Sequence, residues 1–446
     1  MTELFKHQIE GIDFLKKTKK AIMAHEMGLG KSRMAIVAAG DSSEKGILVI
    51  CPVSLKINWQ REIEMVYPED EIQVIQTGPE ETIQEPVWVI INYDMLEKYS
   101  EQLKGLFEIG ELETLIIDES HYIKGKSIRA AQTIALAEKA RRVYCLTGTP
   151  VMNRPIELFN QLKAIGHPLS KSRSAYGKRY CGAFLKTIPR RDGRILRFWD
   201  ESGATRLPEL KTAIDSVLIR RTKKEVLDLP PKIISAQICE LNDKWQMEYD
   251  TAWDAYLEWL ESHPEGKNIE NIMSAQQLVE LMKLKQVCSQ AKVKRIVSDI
   301  ENMVDQEEKV IVFSQFTETI MRITEELGDK NIGYTRLIGA DDMKDRQKAV
   351  DAFQNEDIVK IFVANIKAAG VGLNLTAASV VIFADMDWSP EIHAQAEDRA
   401  HRIGQEGTVN VYYYIVKGTI EEDIKAILEG KQEIISRLRG EKLSTD

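Results

Sequence analysis

Cysteine is scarce in this chain and scattered. Cys51, Cys145, Cys181, Cys239 and Cys288 show no CxxC pair and no Cys/His ligand spacing. That pattern excludes a zinc module and reads as reduced thiols in a cytosolic protein. Long apolar runs are also missing: no stretch reaches the roughly 18 residues of a membrane span, so no membrane partner is expected. The opening stretch MTELFKHQIEGIDFLKK has no basic segment followed by an apolar one, and no signal peptide is expected. Low-complexity sequence and repeats of solenoid period are absent. Positive charge is in deficit, with a formal net charge of −9. Such a balance ordinarily counts against a nucleic-acid partner, but overall charge does not exclude a local basic groove.

What is present is length and alternation. The 446 residues are too many for one comfortable core and suit two domains of about 200 residues each. Short apolar runs at Ile47–Cys51, Val87–Ile91, Leu115–Ile117 and Val143–Leu146 are spaced by helical patterns. They read as buried parallel strands of a doubly wound α/β domain. A second alternating region begins near Lys309, with Val310–Phe313, Ile361–Ala364, Val380–Ala384 and Val409–Ile415 as its strands. Between them, from about Pro155 to Cys288, the chain is rich in Trp, Tyr, Lys and Glu and reads mostly as helices, clearest at Leu241–Ser262 and Ile269–Ser289. The Pro230–Pro231 pair breaks this segment and marks the expected crossing between lobes. Residues 1–160, 161–290 and 291–446 are therefore read as a first α/β lobe, a mostly helical middle segment and a second α/β lobe.

The run His25-Glu-Met-Gly-Leu-Gly-Lys31-Ser32, followed by helical Arg33–Ala39, has the chemistry of a phosphate loop. Gly28, Leu29 and Gly30 can turn backbone N–H groups toward phosphate oxygens at a helix N-terminus. Lys31 reaches the β/γ-phosphates, and Ser32 can hold Mg²⁺. The usual first glycine of such a loop is His25 here. About ninety residues on, a buried-strand pattern ends in Asp118-Glu119-Ser-His121. Asp118 can bind Mg²⁺ through water, and Glu119 can polarise the attacking water. In the second region Arg399 and Arg402 lie three residues apart; on a helix that spacing puts both on one face. They are candidates to stabilise charge developing on the γ-phosphate.

These segments resemble the Swi/Snf-type ATPases among the superfamily-two helicase-like translocases, and nine motifs follow the order of that family. His7-Gln8-Ile-Glu-Gly is similar to the adenine-sensing glutamine motif, and Glu26–Ser32 to motif I. Cys51-Pro-Val-Ser-Leu with Asn58-Trp59-Gln60 resembles motif Ia, and Asn92-Tyr93-Asp94 the next motif on the nucleic-acid side. Asp118–His121 is similar to motif II, and Leu146-Thr147-Gly-Thr149-Pro150 to motif III. Val312-Phe-Ser314-Gln315-Phe316 resembles motif IV, Gly370-Val-Gly372-Leu-Asn374-Leu motif V, and Gln395–Gln405 motif VI. Arg154-Pro-Ile-Glu-Leu, Tyr180-Cys181 and Leu218-Ile-Arg220-Arg221-Thr-Lys223-Lys224 look closest to the annealing-helicase (HARP) branch. Only the motor core is matched; the annealing accessory domain of that branch would lie upstream. His25 stands where the family commonly has aspartate, and Lys367-Ala-Ala-Gly370 where it has Arg-Ala-Gly-Gly.

The resemblance implies two RecA-like lobes with helical insertions and an ATP- and Mg²⁺-dependent translocase on double-stranded DNA. It implies that Gln8 contacts the nucleotide and that Asn58, Asn92, Ser314 and Asn374 contact the DNA backbone. Thr147, Thr149 and Gln395 would couple the nucleotide state to the track. The Arg220–Lys224 cluster would belong to the brace. A monomer is expected, delivered by a partner protein or acting nonspecifically, in a cytoplasm of bacterial or phage type or otherwise intracellular. Three alternatives stand beside it: a strand-separating helicase or RNA-dependent ATPase, a protein-displacing remodeller, and a scaffold with a dead nucleotide site. Intact Lys31, Asp118, Glu119, Arg399 and Arg402 argue against the last. The aromatics Trp245, Tyr249, Trp253, Tyr256 and Trp259 recur at helical spacing and read as one buried helix face rather than a base-stacking platform.

Overall fold

The computed structural model describes residues 4–76, 81–84, 87–148, 155–189, 195–227, 229–262, 275–369 and 373–439. The chain forms two compact units, Met1–Asp228 with Gln432–Asp446, and Leu229–Lys431. The change from one to the other falls beside Pro230–Pro231.

The first unit is built on β1 (Lys20–Met23), β2 (Gly46–Cys51), β3 (Ile72–Val74), β4 (Trp88–Asn92), β5 (Leu112–Ile117) and β6 (Arg142–Leu146). A separate antiparallel hairpin follows, β7 (Phe184–Pro189) and β8 (Ile195–Asp200), before β9 (Leu218–Ile219). The main sheet runs β3-β4-β2-β5-β6-β1-β9, with every pairing parallel. Its central strands are apolar on both faces because helices cover both, so they read as continuous runs rather than alternations. On one face Leu48, Ile50, Val89, Ile91, Leu115, Ile117, Val143 and Cys145 join a single cluster.

The second unit carries β10 (Lys232–Cys239), β11 (Val310–Ser314), β12 (Tyr334–Leu337), β13 (Ile361–Asn365), β14 (Val380–Phe383) and β15 (Val409–Val416). The order is β10-β15-β14-β11-β13-β12, again all parallel. Alternate residues of β11 feed the two sides of the sheet: Ile311 and Phe313 join one cluster, Val310 and Val312 the other. A third cluster holds Tyr249, Tyr256, Leu281, Leu284 and Cys288, with Trp253 and Trp259 packed against it. Four of the five aromatics of helix Asp243–Ser262 thus form a core face, as their spacing predicts, while Trp245 packs against Lys244 and Arg322.

Two RecA-like doubly wound lobes are present, and all eight predicted strands form. The middle segment is mostly helical, as read, with its two clearest helices at Asp243–Ser262 and Ala275–Ala291, but it also carries strands. It supplies the hairpin and an edge strand to each sheet, β9 to the first and β10 to the second. Edge strands are short or half-polar, so they lack the apolar runs that betray central ones.

Candidate functional site

The phosphate loop follows β1, and Asp118 follows β5, so both stand at the carboxyl edge of one parallel sheet, where α/β folds place ligands. Gly28 and Gly30 have φ of 76° and 82°, a region that strongly favours glycine. Gly30 caps helix Lys31–Gly40 in the left-handed conformation, and a Cβ there would collide with Gln8 Nε2. The Lys31 ammonium donates to the carbonyls of His25 (2.9 Å) and Glu26 (3.2 Å), and Ser32 is the next residue of the helix.

The glutamine motif packs directly on this loop. His7 Nε2 lies 3.2 Å from the Leu29 carbonyl, and Gln8 Nε2 donates to the same oxygen at 3.5 Å. Gln8 Oε1 accepts from the Phe5 N–H at 3.0 Å, capping the first helix. Beside it Phe5, Lys6, His7, Glu10, Arg221, Glu225 and Val226 line a cavity of about 510 Å³.

The Arg220–Lys224 cluster meets the loop from the other side. The Glu26 N–H donates to the Arg221 carbonyl (3.0 Å), and the Lys223 N–H donates to Glu26 Oε2 (2.6 Å). Arg221 pairs with Glu10 at 3.3 Å. The cluster therefore fixes the phosphate loop through backbone bonds that charge counting does not reveal. His25 is wholly buried, and neither ring nitrogen has a hydrogen-bond partner among the described residues. Burial, then the charges of Lys31, His7, Arg221 and Arg220, hold it down to about pKa 3, so it is neutral.

At the end of β5 the Asp118 carboxylate is buried. Oδ2 accepts from the Trp59 indole N–H at 2.7 Å and Oδ1 from the Glu119 N–H at 2.9 Å. The Tyr93 hydroxyl donates to the Asp118 carbonyl at 2.6 Å. Burial and the neighbouring Glu119 charge push Asp118 up to about 7, against the pull of the Trp59 bond and the Lys31 charge. A buried carboxylate of this kind fits a divalent cation: each oxygen keeps a lone pair, and hard oxygen donors suit Mg²⁺.

Glu119 adopts φ 47° and ψ 51°, which turns its side chain out of the strand direction. Its Oε2 is 3.2 Å from His121 Nδ1, and that nitrogen is 3.4 Å from Thr147 Oγ1. Thr147 is buried at the end of β6, its N–H donating to the Met23 carbonyl at 3.1 Å. The Glu119–His121–Thr147 chain links the second acidic residue to the third motif. Thr149 lies outside the described residues, as do Arg154, Gly370 and Gly372. Trp59, Tyr93 and His121 were named in the sequence only as parts of motifs. Their contacts with Asp118 and Glu119 join segments distant in the chain, and the residue string gives no direct signal of that.

The polar residues carried over for DNA differ in exposure. Asn58 is half-buried on helix Lys56–Val66, and Asn374 is exposed. Asn92, at the end of β4, is buried, with no hydrogen-bond partner for Oδ1 among the described residues. Ser314 is buried, its hydroxyl donating to Asp385 Oδ2 at 2.5 Å and accepting from the Phe316 N–H at 3.0 Å.

In the second unit helix Pro390–Glu397, which carries half-buried Gln395, stops before the arginines. Arg399 and Arg402 are therefore not on the helical face that their spacing implies. They lie in the turns that follow, and both Nη1 atoms donate to the Leu373 carbonyl at 3.4 Å. The Leu375 N–H in turn donates to the Arg399 carbonyl at 3.0 Å. The turn converges the two guanidiniums on one oxygen, beside the segment that carries motif V.

With this geometry in place, the comparisons with known proteins are decisive for class. Residues 7–312 match the SNF2-related domain, and residues 291–404 match the helicase conserved C-terminal domain. The chain belongs to the SNF2-related family of helicase-like ATPases. It is 32% identical over 450 residues to the DNA annealing helicase and endonuclease ZRANB3 of Mus musculus, a match that covers 99% of this chain and 41% of that protein. It is 31% identical over 445 residues to the SWI/SNF-related matrix-associated actin-dependent regulator of chromatin subfamily A-like protein 1 of Xenopus tropicalis, covering 98% and 45%. A solved SWI2/SNF2 ATPase core from Sulfolobus solfataricus in complex with dsDNA is similar at 26% identity and a TM-score of 0.45, covering 98% of this chain and 93% of that one. The chain spans less than half the length of each of these two curated relatives. Among the described residues no helix is long and apolar enough to cross a membrane.

Proposed function

We propose that this chain is an ATP-dependent translocase on double-stranded DNA. The observation that carries the reading is that Glu119, His121 and Thr147 touch in sequence at the sheet edge that also holds the phosphate loop, whose Lys31 charge acts on Asp118. A site wired in this way can report its nucleotide state along the chain rather than only hydrolyse. The named relatives, one of them a DNA annealing helicase, support DNA as the track.

The nucleobase enters the cavity beside Gln8, and the phosphates lie against Gly28–Ser32. Ser32 and Asp118 would hold Mg²⁺, which would supply positive charge to the phosphates. Glu119 orients and deprotonates the attacking water. Lys31 exchanges its bonds with the loop carbonyls for phosphate oxygens. Arg399 and Arg402 supply positive charge to the γ-phosphate as the lobes close, and Gln395, Thr147 and Thr149 pass that closure to the DNA-side loops. Asn58 and Asn374 touch the DNA backbone, where amides position a protein without reading sequence. Asn92 and Ser314, being buried, set the conformation of the loops beside them.

Triplex displacement tests this reading. The chain should displace a third strand from a duplex only with hydrolysable ATP, and Lys31→Ala should not. Strand separation of a fork without triplex displacement would mean a helicase instead.

A further inference from the structure

Among the described residues the β7–β8 hairpin pairs with no other strand, and one of its faces is exposed. Leu185 stands opposite Trp199, and Thr187 opposite Arg197; directly opposed residues share a face. All four are exposed, Leu185 by 51% and Trp199 by 48%. The acidic groups nearby have partners: Asp200 is held by Ser202 and by Lys186, Glu201 by Arg173, and Glu209 by Arg179 and Tyr180. The cations toward this face are less engaged. Arg197 makes no ion pair among the described residues, and the Lys178 ammonium lies 5.0 Å from the centre of the Trp199 ring. An exposed indole and leucine thus lie beside Arg197 and beside a Lys178 that packs over the indole ring, on a chain of net charge −9.

We propose that this face is a nucleic-acid contact that stacks Trp199 on an unpaired base at a junction between duplex and single strand. The inference rests on the DNA reading above and narrows the substrate to junctions. A duplex backbone offers phosphate and sugar, which satisfy Arg197 and Lys178 but give the indole nothing to stack on. An unpaired base offers a π-face to Trp199 and leaves phosphates at either side for the cations. Leu185 extends the apolar edge against which the first base pair abuts, as apolar wedges do at opened base steps.

The test uses the whole chain with a blunt duplex, a single strand, and a fork carrying 2-aminopurine at its first unpaired position. Binding is read by fluorescence anisotropy. Trp199→Ala should weaken fork binding about tenfold or more and abolish the 2-aminopurine response, while Trp199→Phe keeps most of both. Arg197→Ala should weaken fork binding and lower its salt slope by about one. Both Trp199 variants should bind the blunt duplex as the parent does, which also shows that they fold; Arg197→Ala should keep the thermal unfolding of the parent. The proposal is overturned if Trp199→Ala binds the fork normally, or loses fork and duplex equally. It is also overturned if the substitution changes the sedimentation of the free chain, which would assign this face to a second copy. These are binding measurements, so an ATPase indifferent to DNA would count against the translocase reading without deciding the hairpin.

Discussion

The Trp59 indole donates a hydrogen bond to the Asp118 carboxylate, 2.7 Å from Nε1 to Oδ2, and both side chains are buried. This bond ties helix Lys56–Val66 to the proposed metal-binding carboxylate. Trp59→Phe keeps the ring and removes the donor. We expect the Mg²⁺ concentration for half-maximal turnover to rise about 10- to 100-fold, the usual cost of losing an outer-shell partner. Stability should fall by about 1.5–3 kcal/mol, since the lost bond is to a charged group. Unchanged Mg²⁺ dependence would remove Trp59 from the site.

Glu119→Gln keeps the shape of the side chain and removes the base. Turnover should fall at least about a hundredfold while nucleotide binding, read by equilibrium titration, is retained. Lys31→Ala should lose both. A Glu119→Gln chain that turns over normally would place the base elsewhere.

The proposed coupling role of Thr147, through His121, is separable from the chemistry. Thr147→Val removes the hydroxyl 3.4 Å from His121 Nδ1 and changes volume little. DNA-independent turnover should stay within about twofold of the parent, below the roughly 1.4 kcal/mol that a tenfold change represents. Stimulation by DNA should be lost. Equal loss of both rates would make Thr147 part of the hydrolytic step.

Arg399→Lys preserves charge but not the planar fork, and the two cations are not interchangeable where geometry matters. Turnover should fall by about three orders of magnitude. Thermal unfolding of the variant is the control, because Arg399 also bonds the Leu373 carbonyl.

His25 predicts an acid response. Its ordinary value of 6.5 falls to about 3 in the folded chain, so the unfolded chain binds the proton first as pH drops. Stability linked to His25 is therefore full above about 6.5 and declines toward 3. Between pH 7 and pH 5 this costs about 2 kcal/mol, and His25→Leu should lose that much less than the parent over the same interval. Denaturant melts at the two pH values decide it: parallel losses would show that His25 does not titrate in this way.

The nucleotide motifs were legible because each is local. Gly30 is where a left-handed cap is needed, and Asp118 is where a buried strand ends. The eight apolar strands were legible because burial on both faces leaves continuous runs. β1 was not: Lys20–Met23 is only four residues long and begins in a lysine-rich stretch. β9 and β10 were hidden for a related reason, since a two-residue strand and a half-exposed edge strand show no such run. The end of helix Pro390–Glu397 ahead of Arg399 was equally invisible, because helical spacing continues through the arginines after the backbone has turned. Contacts such as Trp59 with Asp118 depend on strand order, which pattern alone does not specify.

Turnover of ATP measured without nucleic acid, with single-stranded DNA, with RNA and with blunt duplex tests the central claim most directly. The account predicts the highest rate with duplex and none for Lys31→Ala under any condition. Equal turnover with and without duplex would contradict it.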